Sequence, residues 1–272
     1  MIELKREIED FLNSNWSNTN DKEQNMQGRL YAWLLRFEQQ GYTIEMETSI
    51  YDEHLANVIT EDILQRSGKP CKTEMDIYIH KGDMEQYAIE LKWIYNKTTG
   101  WNVVDHLEEF EKDAQFCNWL ADKADFTETC SVVVYDFEKS KQVQWFRPKE
   151  RVNEKLLFLG GDYPADKNKV GYIDAGDKGH KAPFMWHKLK SPQCVGRDYY
   201  YYVISFSNKL KLANEIAAAI EKIYGFRFDK CMALVMQSTW YNGLADSEHV
   251  VQAQPLEIIA SVCREIDNNT II

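Results

Sequence analysis

The sequence lacks the features that would place it in a membrane. Its 272 residues contain no apolar run of about 18 residues, the shortest that a membrane-spanning helix requires. The first residues, Met1 to Arg6, begin a charged amphipathic segment rather than a signal peptide. We therefore expect a soluble, cytoplasmic protein with no membrane partner.

The chain also lacks the cysteine spacing of a disulfide framework or a zinc site. Its six cysteines are scattered, with no Cys-X-X-Cys pair and no zinc-type spacing of Cys and His. This pattern is typical of reduced cysteines that pack as small apolar side chains.

Positive charge is scarce and unevenly distributed. The formal net charge is −11. Residues 1–130 carry 13 Lys and Arg against 26 Asp and Glu, whereas residues 131–200 carry 13 against 9, a net charge of +4. The overall charge argues against tight, non-specific coating of nucleic acid, but a local basic surface can still meet a phosphate backbone.

The most informative stretch is residues 71–97, in which two alternating runs flank a short polar break. This pattern predicts a β-hairpin. In the first run Asp76 lies on the polar face and Met75 on the apolar face. In the second run Glu90 and Lys92 share the polar face, because side chains on a strand alternate between two faces.

The length of the connecting loop decides whether Asp76 joins Glu90. A two-residue turn sets Asp76 opposite Ile89, on the wrong face, whereas a three-residue loop over residues 82–84 sets it opposite Glu90. We predict the three-residue loop or an equivalent bulge, with Gly82 or Asp83 at the positive φ that such loops require.

Asp76, Glu90 and Lys92 on one sheet face have the chemistry of a hard-cation site. Carboxylate oxygens suit Mg²⁺ or Mn²⁺. Lys92 is placed to hold or help deprotonate an attacking water and to offset transition-state charge. The alternative is a solvated polar face of a half-exposed sheet, which also alternates charged and apolar residues.

The surrounding periodicity predicts a helix over residues 21–40, a strand over 42–50, a helix over 103–121 and a buried strand over 131–136. With the hairpin, these give the order α-β-β-β-α-β. Glu23 lies at the start of the first helix, on nearly the same face as Leu30. Two interpretations fit Glu23, and both can hold at once: it faces the site, and it closes a capping box with Asn20.

Asp76, the Ile-Glu-Leu-Lys run that ends at Lys92 and this element order resemble the PD-(D/E)XK nuclease superfamily, the restriction-endonuclease-like fold, over about residues 20–137. The resemblance implies that Asp76, Glu90 and Glu23 are metal ligands for Mg²⁺ (or Mn²⁺) and that Lys92 is the catalytic lysine. The proline that the family places before the Asp is Met75 here. The implied activity is a metal-dependent nuclease, a restriction-like endonuclease acting on double-stranded DNA, and many enzymes of this fold act as homodimers.

We therefore predict an α/β protein with a mixed central sheet flanked by helices. The nuclease-like core spans residues 1–137. Residues 138–272 form a basic, loop-rich region and a C-terminal α/β extension, continuous with the core or separate from it. The extension is predicted as a strand over 199–207, a helix over 208–224, a strand over 231–237 and a helix over 255–266.

Two other functions remain open. The first is a catalytically silent nuclease fold that binds nucleic acid or a protein partner. The second is a carboxylate-pair hydrolase using Glu90 and Glu45, for which Lys92 would have no use and which would need no metal. The basic region, with its interleaved aromatics, either grips nucleic acid or is an ordinary loop region.

Overall fold

The structure is a computed structural model, and it describes residues 2–14, 23–82, 85–94, 103–136, 171–176, 181–189, 199–238 and 255–268. It has an α/β architecture, as predicted, with helices flanking a mixed sheet. The helices of the first part of the chain are α1 (Leu4–Ser14), α2 (Glu23–Leu34), a 3-10 helix (Leu35–Gln40), a second 3-10 helix (Glu53–Leu55), α3 (Glu61–Ser67) and α4 (Val103–Lys123).

The sheet is open and six-stranded. The strands are β1 (Thr43–Ser49), β2 (Glu74–Lys81), β3 (Glu85–Ile94), β4 (Glu128–Asp136), β7 (His187–Lys188) and β8 (Tyr199–Phe206), and a separate two-stranded sheet joins β5 (Gly171–Asp174) to β6 (Lys181–Phe184). The order across the main sheet is β1-β2-β3-β4-β8-β7. The pairs β1/β2 and β2/β3 are antiparallel and β3/β4 is parallel, so β3 is the strand at which direction changes.

Both faces of the sheet are covered. On one face, α1 and α2 pack against alternate residues of β2, β3 and β4. On the other, Phe116 and Leu120 of α4 pack with Tyr78 and Ala88. β4 is buried on both sides, as its run of valines predicts. The polar residues of the predicted site therefore lie between a covering helix and the sheet.

The first compact unit of the chain continues to Ser205, beyond the boundary predicted at residue 137. The reason is that β8 lies next to β4 in the same sheet. The strand itself matches the predicted one closely. What the sequence does not reveal is that its partner lies more than sixty residues earlier in the chain.

The second unit, Phe206–Ile272, is helical over its described part after the end of β8. Its helices are α5 (Asn208–Tyr224), α6 (Phe228–Gln237) and α7 (Pro255–Asp267). The first and last of these were predicted, but the predicted strand over 231–237 is wrong, because those residues belong to α6. A short apolar run fits a strand or a buried helix, and Met, Ala and Leu favour the helix here.

No described helix is both long and apolar enough to span a bilayer. Most of the basic region, residues 138–197, lies outside the described residues. Its described parts are the strands β5, β6 and β7.

Candidate functional site

The candidate site lies where β2 and β3 stop pairing. Their antiparallel register ends with Ile77 opposite Ile89. If this register continued by one residue, Asp76 would lie opposite Glu90, as the sequence predicted. Two carboxylates from neighbouring strands thus meet at the point where the strands separate.

The loop that fixes this register is also the predicted one. Lys81 pairs with Glu85, so three residues connect the strands. Gly82 has a φ of 58°, a left-handed conformation that glycine adopts without steric cost. Asp83 and Met84 lie outside the described residues.

Beyond Glu90, where β2 no longer pairs with β3, two carboxylates accept hydrogen bonds from the β3 amides. The amide of Leu91 donates to Asp76 Oδ2 at 2.6 Å. The amide of Trp93 donates to Glu23 Oε2 at 2.9 Å. Glu23 is the first residue of α2, so the helix start is joined directly to β3, next to Lys92. The proposed capping partner Asn20 lies outside the described residues.

The alternation of β2 breaks at Asp76. Met75 packs in one core cluster with Tyr78, whereas Ile77 packs in the other. The prediction that Met75 shares a face with Ile77 is therefore wrong. Here β2 leaves β3, and Asp76 reaches back to a β3 amide instead of continuing the regular pleat.

The Glu90 side chain is fully buried, and only one of its two carboxylate oxygens has a hydrogen-bond partner among the described residues. Its Oε2 accepts a short hydrogen bond from Lys72 Nζ, which also donates to Asp113 Oδ1 at 2.8 Å. Its Oε1 is buried and has no hydrogen-bond partner in the described part of the chain. The hydroxyl oxygen of Ser131, which lies opposite Glu90 on β4, is likewise buried without a described partner.

Lys92 is partly buried and lies between two carboxylates. Its Nζ is 3.1 Å from Glu109 Oε2 on α4 and 3.8 Å from Glu23 Oε1. Burial lowers the pKa of Lys92, but Glu23, Asp113 and Glu109 together outweigh burial, so the net pKa is raised. Lys92 is therefore an ammonium group at neutral pH, suited to hydrogen-bond donation and charge neutralisation rather than to a role as a base.

Burial and crowding of like charges disfavour ionised carboxylates here. Burial raises the pKa of Asp76 to about 6, and Asp113 and Glu23 add to the effect against the amide of Leu91 and the charge of Lys72. Burial and the charge of Asp76 raise the pKa of Glu90 well above its ordinary value. The pKa values of Glu23 and Asp113 are also raised, chiefly by burial. The cluster has more carboxyl groups than ammonium groups to balance them.

Gln27 of α2 links β1 to this cluster. Its Nε2 donates to Glu47 Oε1 at 2.7 Å and to the Asp76 carbonyl at 2.8 Å. Glu47 has a φ of 55°, which is strained for a residue with a side chain. Strain of this kind is most often found where a side chain must be presented to a ligand.

Glu45 and His54 belong to a different group. Glu45 pairs with His54, Oε2 to Nε2 at 3.0 Å, and the His54 ring lies near Tyr78 and His80. His54 therefore has a partner on β1. Because no described contact joins Glu45 to Glu90, no carboxylate pair of the glycosidase type is seen there.

The donor set has the right chemistry for a divalent ion. Among the described residues, no three His, Cys, Asp or Glu side chains are grouped closely enough to form a metal shell. Glu90 nevertheless has a buried carboxylate oxygen that lacks a donor, beside Asp76. Such an oxygen requires a cation or a proton, and hard cations bind carboxylates of this kind.

Three residues of the cluster were not assigned from the sequence. Lys72 precedes β2 in an irregular segment, and Glu109 and Asp113 lie on α4, about one helical turn apart. Their spacing marks one polar stripe of α4, a signal indistinguishable in sequence from a solvated helix face. Only the packing of α4 on the sheet gives this stripe a role.

Searches of protein-family models, curated proteins and solved structures find no match for this chain. Its function must therefore be inferred from its own residues.

Proposed function

We propose that this protein is a metal-dependent nuclease that hydrolyses phosphodiester bonds in nucleic acid, and that it is a restriction-like endonuclease of double-stranded DNA. The observation that carries the proposal is that the carboxyl groups of Asp76 and Glu23 bind the β3 amides on either side of Lys92, next to the buried Glu90. Together these residues supply the acid and ammonium groups that phosphodiester hydrolysis uses.

The order of elements supports the same proposal. Apart from the short helix α3 and the two 3-10 helices, the chain runs α2-β1-β2-β3-α4-β4. Each of the first three strands is antiparallel to the next, and β4 is parallel to β3. This is the α-β-β-β-α-β order expected of a restriction-endonuclease-like core. The order alone would not assign a function, because one fold serves many chemistries.

The residues divide the chemical work between them. A divalent ion held by Asp76 and Glu90, with Glu23 nearby, would polarise the scissile phosphate and acidify the attacking water. Lys92, as an ammonium group, orients that water by hydrogen bonding and neutralises charge that develops on the phosphate. Glu23 positions Lys92 and fixes the end of β3 through the Trp93 amide.

The substrate class follows from the charge distribution. The site is acidic, so it needs a cation before a polyanion can approach. The positive excess lies in residues 131–200, and we assign backbone binding to that region. Two copies of the chain would be needed to cut both strands together, and we therefore include a homodimer in the proposal.

The test is cleavage of supercoiled plasmid with Mg²⁺ or Mn²⁺. Wild type should nick or linearise the plasmid, EDTA should stop the reaction, and Asp76→Ala and Lys92→Met should lose activity. Lys81→Met is the matched control, since Lys81 ends β2 and lies over the Tyr42 ring, at the other end of the hairpin. EDTA-insensitive cleavage, or variants as active as wild type, would remove the mechanism. Plasmid binding without cleavage would favour the silent binding module.

A further inference from the structure

Lys72 occupies the position next to Glu90 that a cation would take. Its Nζ bridges Glu90 and Asp113, two carboxyl groups that are almost completely buried. Burial lowers the pKa of Lys72, but the two carboxylates outweigh burial and raise the pKa above its ordinary value. Lys72 is therefore a charged group paired with two buried acids.

The residues on both sides of Lys72 contact neighbouring elements. The Cys71 Sγ contacts the Lys112 carbonyl of α4 at 3.3 Å. The Thr73 carbonyl accepts from the Ile50 amide at 2.8 Å. These contacts place Lys72 beside the cluster.

The two partners differ in access to solvent. The Glu90 side chain is 0% exposed, whereas that of Lys72 is 29% exposed. Of the pair, Lys72 is the one that can withdraw into water. Its departure leaves the Glu90 carboxylate, with its second oxygen already lacking a donor, open to another cation.

We propose that Lys72 is a tethered competitor for the divalent-cation position, and that a divalent ion binds Glu90 by displacing the Lys72 ammonium. The proposal rests on the metal-dependent function above and adds a residue that controls loading of the site. Lys72 neutralises Glu90 until the ion arrives, which keeps the acidic cluster folded without metal. The consequence is a metal affinity that is weaker than the carboxylates alone would give.

The first experiment measures Mn²⁺ binding to the full chain by the loss of the free Mn²⁺ signal in electron paramagnetic resonance. Wild type, Lys72→Met and the control Lys69→Met are compared in the same buffer; Lys69 lies three residues upstream and is exposed. Removal of the competing ammonium should tighten Mn²⁺ binding by about tenfold or more. The control should bind as wild type does.

The outcomes separate this proposal from the proposed function. If wild type binds Mn²⁺ and Lys72→Met binds it no more tightly, displacement is overturned and the metal-dependent function stands. If neither protein binds Mn²⁺, the metal-dependent function fails, and displacement fails with it.

A second measurement needs no variant and covers the case in which Lys72→Met does not fold. Wild type is acetylated with a water-soluble reagent in EDTA or in Mn²⁺, and the modified lysines are located by mass spectrometry. Release from Glu90 should raise modification of Lys72 several-fold in Mn²⁺, with Lys69 modified equally in both. Equal or lower modification of Lys72 in Mn²⁺, under conditions where binding is measured, would overturn the displacement.

Discussion

A fully buried glutamate, Glu90, and a partly buried one, Glu128, lie on adjacent parallel strands and have opposite surroundings. Glu128 begins β4, and its carboxylate accepts from the amide of Leu4 at 2.9 Å, the amide of Lys5 at 3.4 Å and the hydroxyl of Ser205 at 2.6 Å. It closes the start of α1, where helix amides lack partners of their own. Glu90 accepts from one lysine, and its other oxygen has no described partner.

The comparison separates a carboxylate with a structural role, Glu128, from a candidate ligand-binding carboxylate, Glu90. Burial raises the pKa of both groups. At Glu128 several neutral donors offset that cost, whereas at Glu90 the nearby charge of Asp76 adds to it. A buried carboxyl oxygen without a hydrogen-bond donor requires a proton or a cation, and of the two glutamates Glu90 is the one that has such an oxygen.

The two glutamates also lie at different positions along the strand pair. Glu128 is opposite Tyr87, near the start of β3, and Glu90 is opposite Ser131, three pairs further along both strands.

The largest expected effect is on cleavage. Glu90→Gln should lower metal-dependent plasmid cleavage by about a thousandfold, because the amide cannot neutralise a divalent ion. Glu128→Gln, assayed at a temperature where it is folded, should cleave within a few-fold of wild type. Equal losses in the two variants would erase the distinction between them.

The second effect is on stability, and here the Glu128 variant is expected to lose more than the Glu90 variant. Glu128→Ala should lower the free energy of unfolding by about 4 kcal/mol, because two helix amides and a hydroxyl lose their acceptor. Glu90→Gln should lower it by less, since its side-chain oxygen can still accept from Lys72 and Asp113 still pairs with the Lys72 ammonium. Urea unfolding in EDTA measures both, and a larger loss for Glu90→Gln would reverse the assignment.

The third effect is a pH dependence at Asp76. Its folded pKa of about 6 is above the ordinary value of 3.8, so its contribution to stability is complete below about pH 4 and is lost as pH rises through 6. The loss is about 3 kcal/mol. Asp76→Asn should therefore be more stable than wild type at pH 8 in EDTA, and the difference should vanish near pH 4. A stability difference that does not change between pH 4 and pH 8 would contradict the raised pKa of Asp76.

The smallest effect concerns the loop that sets the register. Gly82→Ala should cost about 1 kcal/mol, because Gly82 has a positive φ and a Cβ there would meet no atom within 4 Å, so backbone strain alone acts. Gly28→Ala in α2 also has open space for a Cβ but should gain up to about 1 kcal/mol from helix propensity. Thermal unfolding of the pair checks the sign, and a stabilising Gly82→Ala would contradict the loop conformation.

Local patterning in the sequence was enough to predict the hairpin, its loop length and the register that sets Ile77 opposite Ile89. These features depend on a period of two and on one glycine, both visible in neighbouring residues. The long helices were predicted for the same reason, from apolar residues at helical spacing. The strand predicted over 231–237 failed because six consecutive apolar residues are too few to show a period.

Long-range features could not be predicted in the same way. Nothing near Lys72 in sequence indicates that it will reach Glu90, because the contact depends on how α4 and the segment before β2 pack on the sheet. Likewise the role of Glu128 depends on α1 and Ser205, which are over 70 residues away in each direction. Polar residues of this kind acquire meaning only from the tertiary fold.

The most direct test is to titrate Mn²⁺ into wild type, Glu90→Gln and Glu128→Gln and to measure the heat of binding by isothermal titration calorimetry. A divalent ion held between β2 and β3 predicts binding to wild type and Glu128→Gln, and none to Glu90→Gln. Binding that survives in Glu90→Gln, or that is absent from wild type, would contradict a metal centre at this position.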